Sequence, residues 1–174
     1  MKLKNLLEEI LLEYRDKLYA FLKADLIGVP EYIVRDFFYK GFKHSKNFTT
    51  PGTEDNIYYN RYKTIDWDYK KDFPIRMDMF DPISKERLEK RIGGDMGKHQ
   101  APNDELRHEK QKELLQTKGL TEPIILFISA DDPDKYSLGE GWHRVIQLFK
   151  ANPKGFKYPN VYIGRYPDQD FIDF

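Results

Sequence analysis

A glycine turn that carries a histidine and an arginine is the segment of this chain best suited to chemistry. Its two glycines, at positions 139 and 141, separate a strand-like run from a helix-like run. Glycine lets a ligand approach the backbone, and the first turn of a helix offers N–H groups to an anion. Histidine and arginine add charge-assisted donors, and arginine can hold phosphate with two parallel hydrogen bonds. We therefore predict a phosphate site formed by Gly139, Gly141, Trp142, His143 and Arg144.

The same turn also fits a purely structural role. In that interpretation the glycines only make a tight turn, while His143 and Arg144 face solvent. Spacing alone does not separate the two interpretations. The phosphate interpretation requires a cleft at the start of the helix near Trp142, and burial of Gly141 beneath side chains would oppose it.

Two places in the sequence offer a general base or a metal ligand. Glu140 lies inside the turn, where a carboxylate can act on phosphates through a metal or a nucleophile. Asp104 and His108 are four residues apart on a predicted helix, so the carboxylate can orient the imidazole. This pair would serve as a base or help to hold Mg²⁺, although such pairs also occur as solvated surface. The catalytic candidates are thus Glu140, His143, Asp104 and His108, and the sequence does not rank them.

Hydrophobic periodicity predicts the elements on both sides of the turn. The continuous apolar run at 124–128 has strand length and predicts a strand covered on both faces. Residues 135–138 are its predicted hairpin partner, and a helix follows the glycines until Pro153. We therefore expect a hairpin, the glycine turn, a helix and a final short strand within residues 123–164.

The segment before this unit carries a strand and two helices in the sequence pattern. The alternation of apolar and charged residues at 73–79 predicts a half-buried strand. Asp81 and Pro82 are a suitable cap and first residue for a helix that reaches Ile92. A further helix is predicted from about 103 to 118.

The amino-terminal residues 1–42 predict a helical hairpin, followed by a second domain at 43–174. Residues 2–25 carry the clearest helical periodicity, and a break at 28–30 precedes a short second helix. The first helix has five basic and five acidic residues, so it lacks the cationic face of a membrane-docking helix. We expect its apolar stripe to be covered by the same domain or by a partner: Leu7, Ile10, Tyr14, Leu18 and Phe21.

Composition excludes several classes of protein and site. The 174 residues contain 29 Lys and Arg against 29 Asp and Glu, so no global field favours nucleic acid or an anionic membrane. Cysteine is absent, which excludes disulfides, thiolate nucleophiles and cysteine zinc sites. No apolar run approaches the roughly 20 residues that span a bilayer. We expect a soluble, cytoplasmic protein of a bacterium or a phage-infected cell.

The stretch from Pro123 to Arg144 resembles the ParB/sulfiredoxin superfamily, in which sulfiredoxins carry Gly-Cys-His-Arg at the same strand-to-helix turn. Residues 113–124 are similar to the helix, glycine and Pro-Ile strand entry of ParB-type domains. The resemblance covers about residues 100–165. It implies a small α/β (α+β) fold with a mixed sheet that binds ATP, ADP or CTP. Members act as sulfinic-acid reductases, CTPase clamps, serine kinases or nucleases.

Departures from the family pattern narrow the expected activity. Trp142 stands where sulfiredoxins have their catalytic cysteine, which excludes sulfinic-acid reduction. The Glu-Arg-Arg turn and the helix-turn-helix of partition clamps are absent from the sequence. The resemblance therefore favours a nucleotide-binding phosphotransferase or NTPase that uses ATP or another nucleotide with Mg²⁺. The alternatives are a catalytically silent assembly module docking through residues 2–41, and a ParB-like nuclease disfavoured by the zero net charge.

Overall fold

The computed structural model describes residues 16–40, 63–95, 106, 109–110, 112–114 and 122–166. The chain divides into two compact units, residues 1–65 and residues 66–174. The division lies after Ile65, whereas the sequence pattern places the boundary after residue 42.

The first unit is helical over most of its described residues. Residues 16–25 form helix α1, and a break at 26–30 precedes α2 (Glu31–Ile33), which continues as a π-helix over Val34–Tyr39. This confirms the predicted pair of helices where it is described, and residues 2–15 lie outside the described part. Leu18 is covered as expected, but Phe21 is 39% exposed in the chain. The buried apolar residues of these helices and of the break between them are Leu18, Leu22, Leu26, Ile33, Val34 and Phe38.

A charged cluster lies on the π-helical segment of the first unit. Oδ1 of Asp36 lies 2.5 Å from Nζ of Lys40, and its Oδ2 lies 2.6 Å from Nε of Arg35. Burial acts to raise the pKa of Asp36, but the hydrogen bonds from Lys40 and Arg35 outweigh it and lower that pKa. The Asp36 carboxylate is therefore stabilised in its charged form.

The second unit is built on a four-stranded mixed sheet. Its strands are β1 (Asp66–Ile75), β2 (Ile124–Ile128), β3 (Tyr136–Glu140) and β4 (Phe156–Arg165), in the spatial order β1-β4-β2-β3. Strand β4 runs antiparallel to β1 and parallel to β2, and β2 runs antiparallel to β3. This sheet, together with the helices, confirms the predicted α/β class with a mixed sheet.

Helix α3 (Pro82–Ile92) begins and ends where the sequence signals predict. Oδ1 of Asp81 accepts a hydrogen bond from the backbone N–H of Ser84 at 2.7 Å, which caps the helix, and Pro82 takes the first helical position. Gly93 forms the carboxyl-terminal cap. In the helix predicted over 103–118, the described residues are helical at 106, 109–110 and 112–114.

The order of elements predicted for residues 123–164 is confirmed. Strand β2 is buried from Ile124 to Phe127, β3 is its antiparallel hairpin partner, and α4 (Trp142–Ala151) follows the glycine turn and leads to β4. The apolar faces of α3, α4 and the sheet form one core. Its buried members are Ile75, Phe80, Leu88, Ile124, Leu126, Leu138, Val145, Ile146, Phe149, Tyr158, Val161 and Ile163.

The strand predicted over 73–79 is only partly correct. Strand β1 ends at Ile75, and Met77–Met79 form one turn of 3-10 helix. Met77 and Met79 still pack against the core, so this turn satisfies the apolar positions that the alternation indicated. The turn also lets the chain leave the sheet before Asp81, where α3 must start.

None of the helices that the structure describes has the length and apolar character needed to cross a membrane.

Candidate functional site

The predicted phosphate turn lies between β3 and α4. Gly141 is the N-cap of α4 and has φ of +99°, a left-handed conformation that favours glycine. The helix begins with the bond from the N–H of Val145 to the carbonyl of Gly141 at 3.0 Å. No side chain caps the first turn, and that turn holds no acidic residue. Its N–H groups therefore keep the partial positive charge of a helix start.

Side chains pack directly against Gly141. A Cβ built on this residue would lie 2.5 Å from Cγ2 of Ile124 and 3.3 Å from Nη2 of Arg144. The residue is buried, so a phosphate has no room to approach it on that side, and this burial opposes the phosphate interpretation of the turn. The glycine is explained by its backbone conformation and by the contact with Ile124, and it does not require a ligand.

Gly139 has a similar explanation on strand β3. A Cβ at this position would meet Cε2 of Phe127 at 2.3 Å and Cδ2 of the same ring at 2.9 Å. The ring of Phe127 thus lies directly over the glycine, as aromatic rings often do over glycines in sheets. Neither glycine of the turn is therefore evidence for a phosphate on its own.

Arg144 is directed into the protein. Its side chain is 8% exposed, Nη1 donates to Oε2 of Glu122 at 2.7 Å, and Nη2 donates to the carbonyl of Pro123 at 2.8 Å. The hydroxyl of Tyr158 donates to the carbonyl of Glu122 at 2.7 Å. Together these bonds fix the segment that enters β2. A phosphate on Nη1 would have to displace Glu122, so this geometry opposes the expectation of a fork presented to a ligand.

Trp142 and His143 are both partly exposed in the first turn of α4. The guanidinium carbon of Arg87 lies 4.9 Å from the centroid of the Trp142 ring, and that of Arg91 lies 5.4 Å from it. Both distances are within the range of cation–π attraction. The first turn of α4 is thus adjacent to two cations of α3. Arg87, Arg91 and Trp142 are called the Arg–Trp cluster below.

The two arginines of the Arg–Trp cluster carry uncompensated charge within the described part of the chain. No described carboxylate forms a salt bridge with Arg87 or Arg91, whereas the lysines of α3 pair within the helix as Glu86 with Lys90 and Lys85 with Glu89. The basic residues of α3 therefore fall into two groups. Its lysines are paired with glutamates of the same helix, whereas its arginines contact the indole ring of Trp142. This makes the surface beside the start of α4 locally positive.

Sequence reasoning missed Arg87 and Arg91. One signal was present, because the two arginines are four residues apart on one helical face and neither has an acidic residue four positions away within α3. The contact with Trp142 depends on how α3 and α4 pack, which residue spacing does not give.

The remaining candidates are only partly described. Glu140 is partly exposed at the end of β3, opposite Ile125 of β2. Asp104 and His108 lie outside the described residues. Within the described part of the chain, no group of three or more histidine or acidic side chains is arranged to hold a metal ion.

No protein-family model matches this chain, and no curated protein or solved structure matches it significantly. The resemblance to the ParB/sulfiredoxin superfamily therefore stays a prediction.

Proposed function

We propose that this protein binds a nucleotide through its phosphates at the Arg–Trp cluster and the first turn of α4. The observation that carries the proposal is the pair of guanidinium groups over the Trp142 ring, within cation–π distance. Arg87 and Arg91 then take the phosphate role that the sequence pattern gave to Arg144. Gly139 and Gly141 shape the turn that places Trp142 and His143.

A polyphosphate fits this surface better than a single carboxylate. Arg87 and Arg91 supply two cations beside the start of α4, where the partial positive charge of the helix start adds to theirs. A nucleotide di- or triphosphate carries matching charges at short spacing. A long nucleic acid would need an extended basic strip, and the chain has no excess of basic residues.

Phosphoryl transfer or nucleotide hydrolysis is the further step that this proposal includes. Mg²⁺ would arrive with the phosphates of ATP or a related nucleotide and would neutralise charge on them during transfer. Among the described side chains, Glu140 at the end of β3 and His143 in the first turn of α4 are the candidates for proton transfer. Asp104 and His108 remain candidates from the sequence pattern.

Nucleotide binding is tested by thermal shift and calorimetry with ATP, ADP, CTP and GTP, each with and without Mg²⁺. A ligand that binds the native state raises the unfolding midpoint. Arg87→Ala and Arg91→Ala should each weaken binding about tenfold or more, because a hydrogen bond from a charged group contributes about 1.5–3 kcal/mol. Lys85→Ala and Lys90→Ala remove the same charge from the same helix and are the matched controls.

Equal losses in the arginine and lysine variants would show only a general charge effect. If no nucleotide at millimolar concentration shifts the unfolding midpoint, the proposal that this chain binds a nucleotide is wrong. Turnover is measured separately, as release of phosphate from ATP by the parent protein and by Glu140→Gln.

The assembly-module alternative has less support. Phe21 and Ile27 of the first unit are exposed, Ile27 at 88%. Single exposed apolar residues are common on monomeric proteins and do not define a partner surface.

A further inference from the structure

A buried carboxylate joins the start of α3 to strand β3. Asp81 is 7% exposed, and its Oδ2 accepts hydrogen bonds from Oγ of Ser137 at 2.5 Å and from Oγ of Ser84 at 3.1 Å. Its Oδ1 accepts the capping bond from the N–H of Ser84. We call Asp81, Ser84 and Ser137 the Asp81 clasp.

The Asp81 clasp has two backbone connections to the same strand. The N–H of Asp81 donates to the carbonyl of Tyr136 at 3.0 Å, and the N–H of Leu138 donates to Oγ of Ser84 at 3.2 Å. The hydroxyl of Ser84 thus both donates to Asp81 and accepts from β3. These bonds have defined directions, so they fix the rotation of α3 about its axis as well as its distance from β3.

The clasp connects α3 to β3, the strand that leads into α4, and α3 and α4 are the helices that form the Arg–Trp cluster. Helix α3 carries Arg87 and Arg91, while β3 leads through Gly141 directly into Trp142. Leu88 anchors α3 in the core and Ile92 packs against it, but apolar contacts are not directional and define the rotation of a helix less closely than hydrogen bonds do. The relative placement of guanidinium groups and indole ring therefore depends on polar bonds at the start of α3.

We infer that Asp81 is a positioning residue, which holds Arg87 and Arg91 over Trp142 through its bonds to Ser84 and Ser137. Arg91 is ten residues from Asp81, so the two residues are roughly 15 Å apart along the axis of α3. A tilt of about 4° at Asp81 would displace Arg91 by roughly 1 Å. Errors of that size in a binding group are costly, up to about a hundredfold in a catalytic site.

The inference takes its ligand from the proposed function, but the alignment of the arginines with Trp142 can be measured without a ligand. Trp67→Phe leaves Trp142 as the one tryptophan, since the chain has 2. In that background, Arg87→Met with Arg91→Met gives the reference emission of Trp142 without its cations. Ser137→Ala and Asp81→Asn should shift the emission towards this reference, while far-UV circular dichroism shows a folded protein. Ser137→Thr keeps the hydroxyl and should restore the parent spectrum.

Glu86→Gln is the control, because it changes a carboxylate of α3 that pairs with Lys90 and takes no part in the clasp. It should leave the emission unchanged. Parent-like emission in both Ser137→Ala and Asp81→Asn would overturn the positioning role, even if both variants melt at lower temperature.

Affinity for ATP gives the second readout. Asp81→Asn should weaken ATP binding by on the order of tenfold at a temperature where the variant is fully folded. A shifted Trp142 emission with no ATP binding in the parent protein would reject the nucleotide proposal and keep the clasp. Unchanged emission with intact ATP binding would reject the clasp and keep the nucleotide proposal.

Discussion

The guanidinium of Arg144 contacts the carboxylate of Glu122 at 2.7 Å, and the two partners have opposite exposure. The arginine side chain is 8% exposed, whereas that of Glu122 is 71% exposed. The guanidinium also donates a hydrogen bond to the carbonyl of Pro123. Arg144 therefore connects the first turn of α4 to the entry of β2. The arginine is the buried partner of this pair, and the glutamate is the exposed one.

Arg144→Ala should lower the free energy of unfolding by about 2 kcal/mol or more. The change removes the charge-assisted hydrogen bonds to Glu122 and to the carbonyl of Pro123, and it also removes the packed stem of the side chain. Affinity for nucleotide should change little under conditions where the variant is folded. Urea unfolding and ATP titration on the same variant measure both quantities.

Glu122→Gln changes the other partner of this pair and should cost less stability than Arg144→Ala. Its side chain is largely exposed, so we expect a loss of at most about 1 kcal/mol. An Arg144→Ala protein with normal stability and a large loss of ATP affinity would contradict the structural role and restore the phosphate role predicted from the sequence.

The elements around the glycine turn could be predicted because their signals are local. The cap at Asp81, the proline at 82 and the apolar run of β2 each depend on neighbouring residues only, and the structure has all three. The π-helical segment Val34–Tyr39 has no such signal in the sequence. The 3-10 turn at Met77–Met79 was missed because it satisfies the same apolar positions as a strand.

The candidate site was harder to predict than the fold. Arg144 belongs to a motif that suggests an exposed phosphate ligand, yet its environment depends on how α4 packs against the entry of β2. Arg87 and Arg91 meet Trp142 only because α3 packs beside α4. The contacts of these two arginines with Trp142 join residues more than 50 positions apart, and one sequence gives no register between two helices.

The glycines offer a test that separates backbone strain from steric contact. Gly94→Ala should cost about 1–2 kcal/mol, since φ is +94° and no atom lies within 4 Å of the new Cβ. Gly139→Ala should cost about 1–3 kcal/mol through the Phe127 ring alone. Gly141→Ala combines φ of +99° with the Ile124 contact, so it should be the most destabilising of the three. Denaturant unfolding ranks them.

Gly141→Ala with Ile124→Ala tests the steric part directly. Alanine removes Cγ2 of Ile124, which would lie 2.5 Å from the new Cβ, so the double variant should lose less stability than the sum of the two single changes. A strictly additive result would show that backbone conformation alone accounts for Gly141.

Asp36 predicts a pH dependence in the first unit. The hydrogen bonds from Lys40 and Arg35 hold the folded pKa of Asp36 below its ordinary value near 3.8, although burial opposes them. Its stabilisation is therefore present above that value and is lost as pH falls through the folded pKa. The thermal midpoint of Asp36→Asn should lie below that of the parent protein at pH 7, and the difference should shrink below about pH 4. A difference that is constant with pH would contradict this assignment.

The contact between Trp142 and the arginines should appear as a coupling energy in unfolding experiments. In the cycle of Trp142→Leu with Arg87→Ala, the two losses should fail to add by about 0.5–1 kcal/mol, the usual size of a cation–π contact at an exposed site. The cycle with Arg91→Ala should give a similar value, since its guanidinium carbon lies 5.4 Å from the ring centroid.

Lys85→Ala supplies the matched cycle for this measurement. Lys85 is a cation of the same helix that pairs with Glu89, so its coupling with Trp142→Leu should be close to zero. Each free energy of unfolding is measured by urea denaturation. The cycles are then repeated at roughly 0.5 M salt, where the interaction between exposed charges is screened beyond a few ångströms. Equal coupling for Lys85 and the two arginines would mean that Trp142 responds to the net charge of α3. In that case the Arg–Trp cluster would lose its role as a defined cation site, and the nucleotide proposal would lose the observation that carries it.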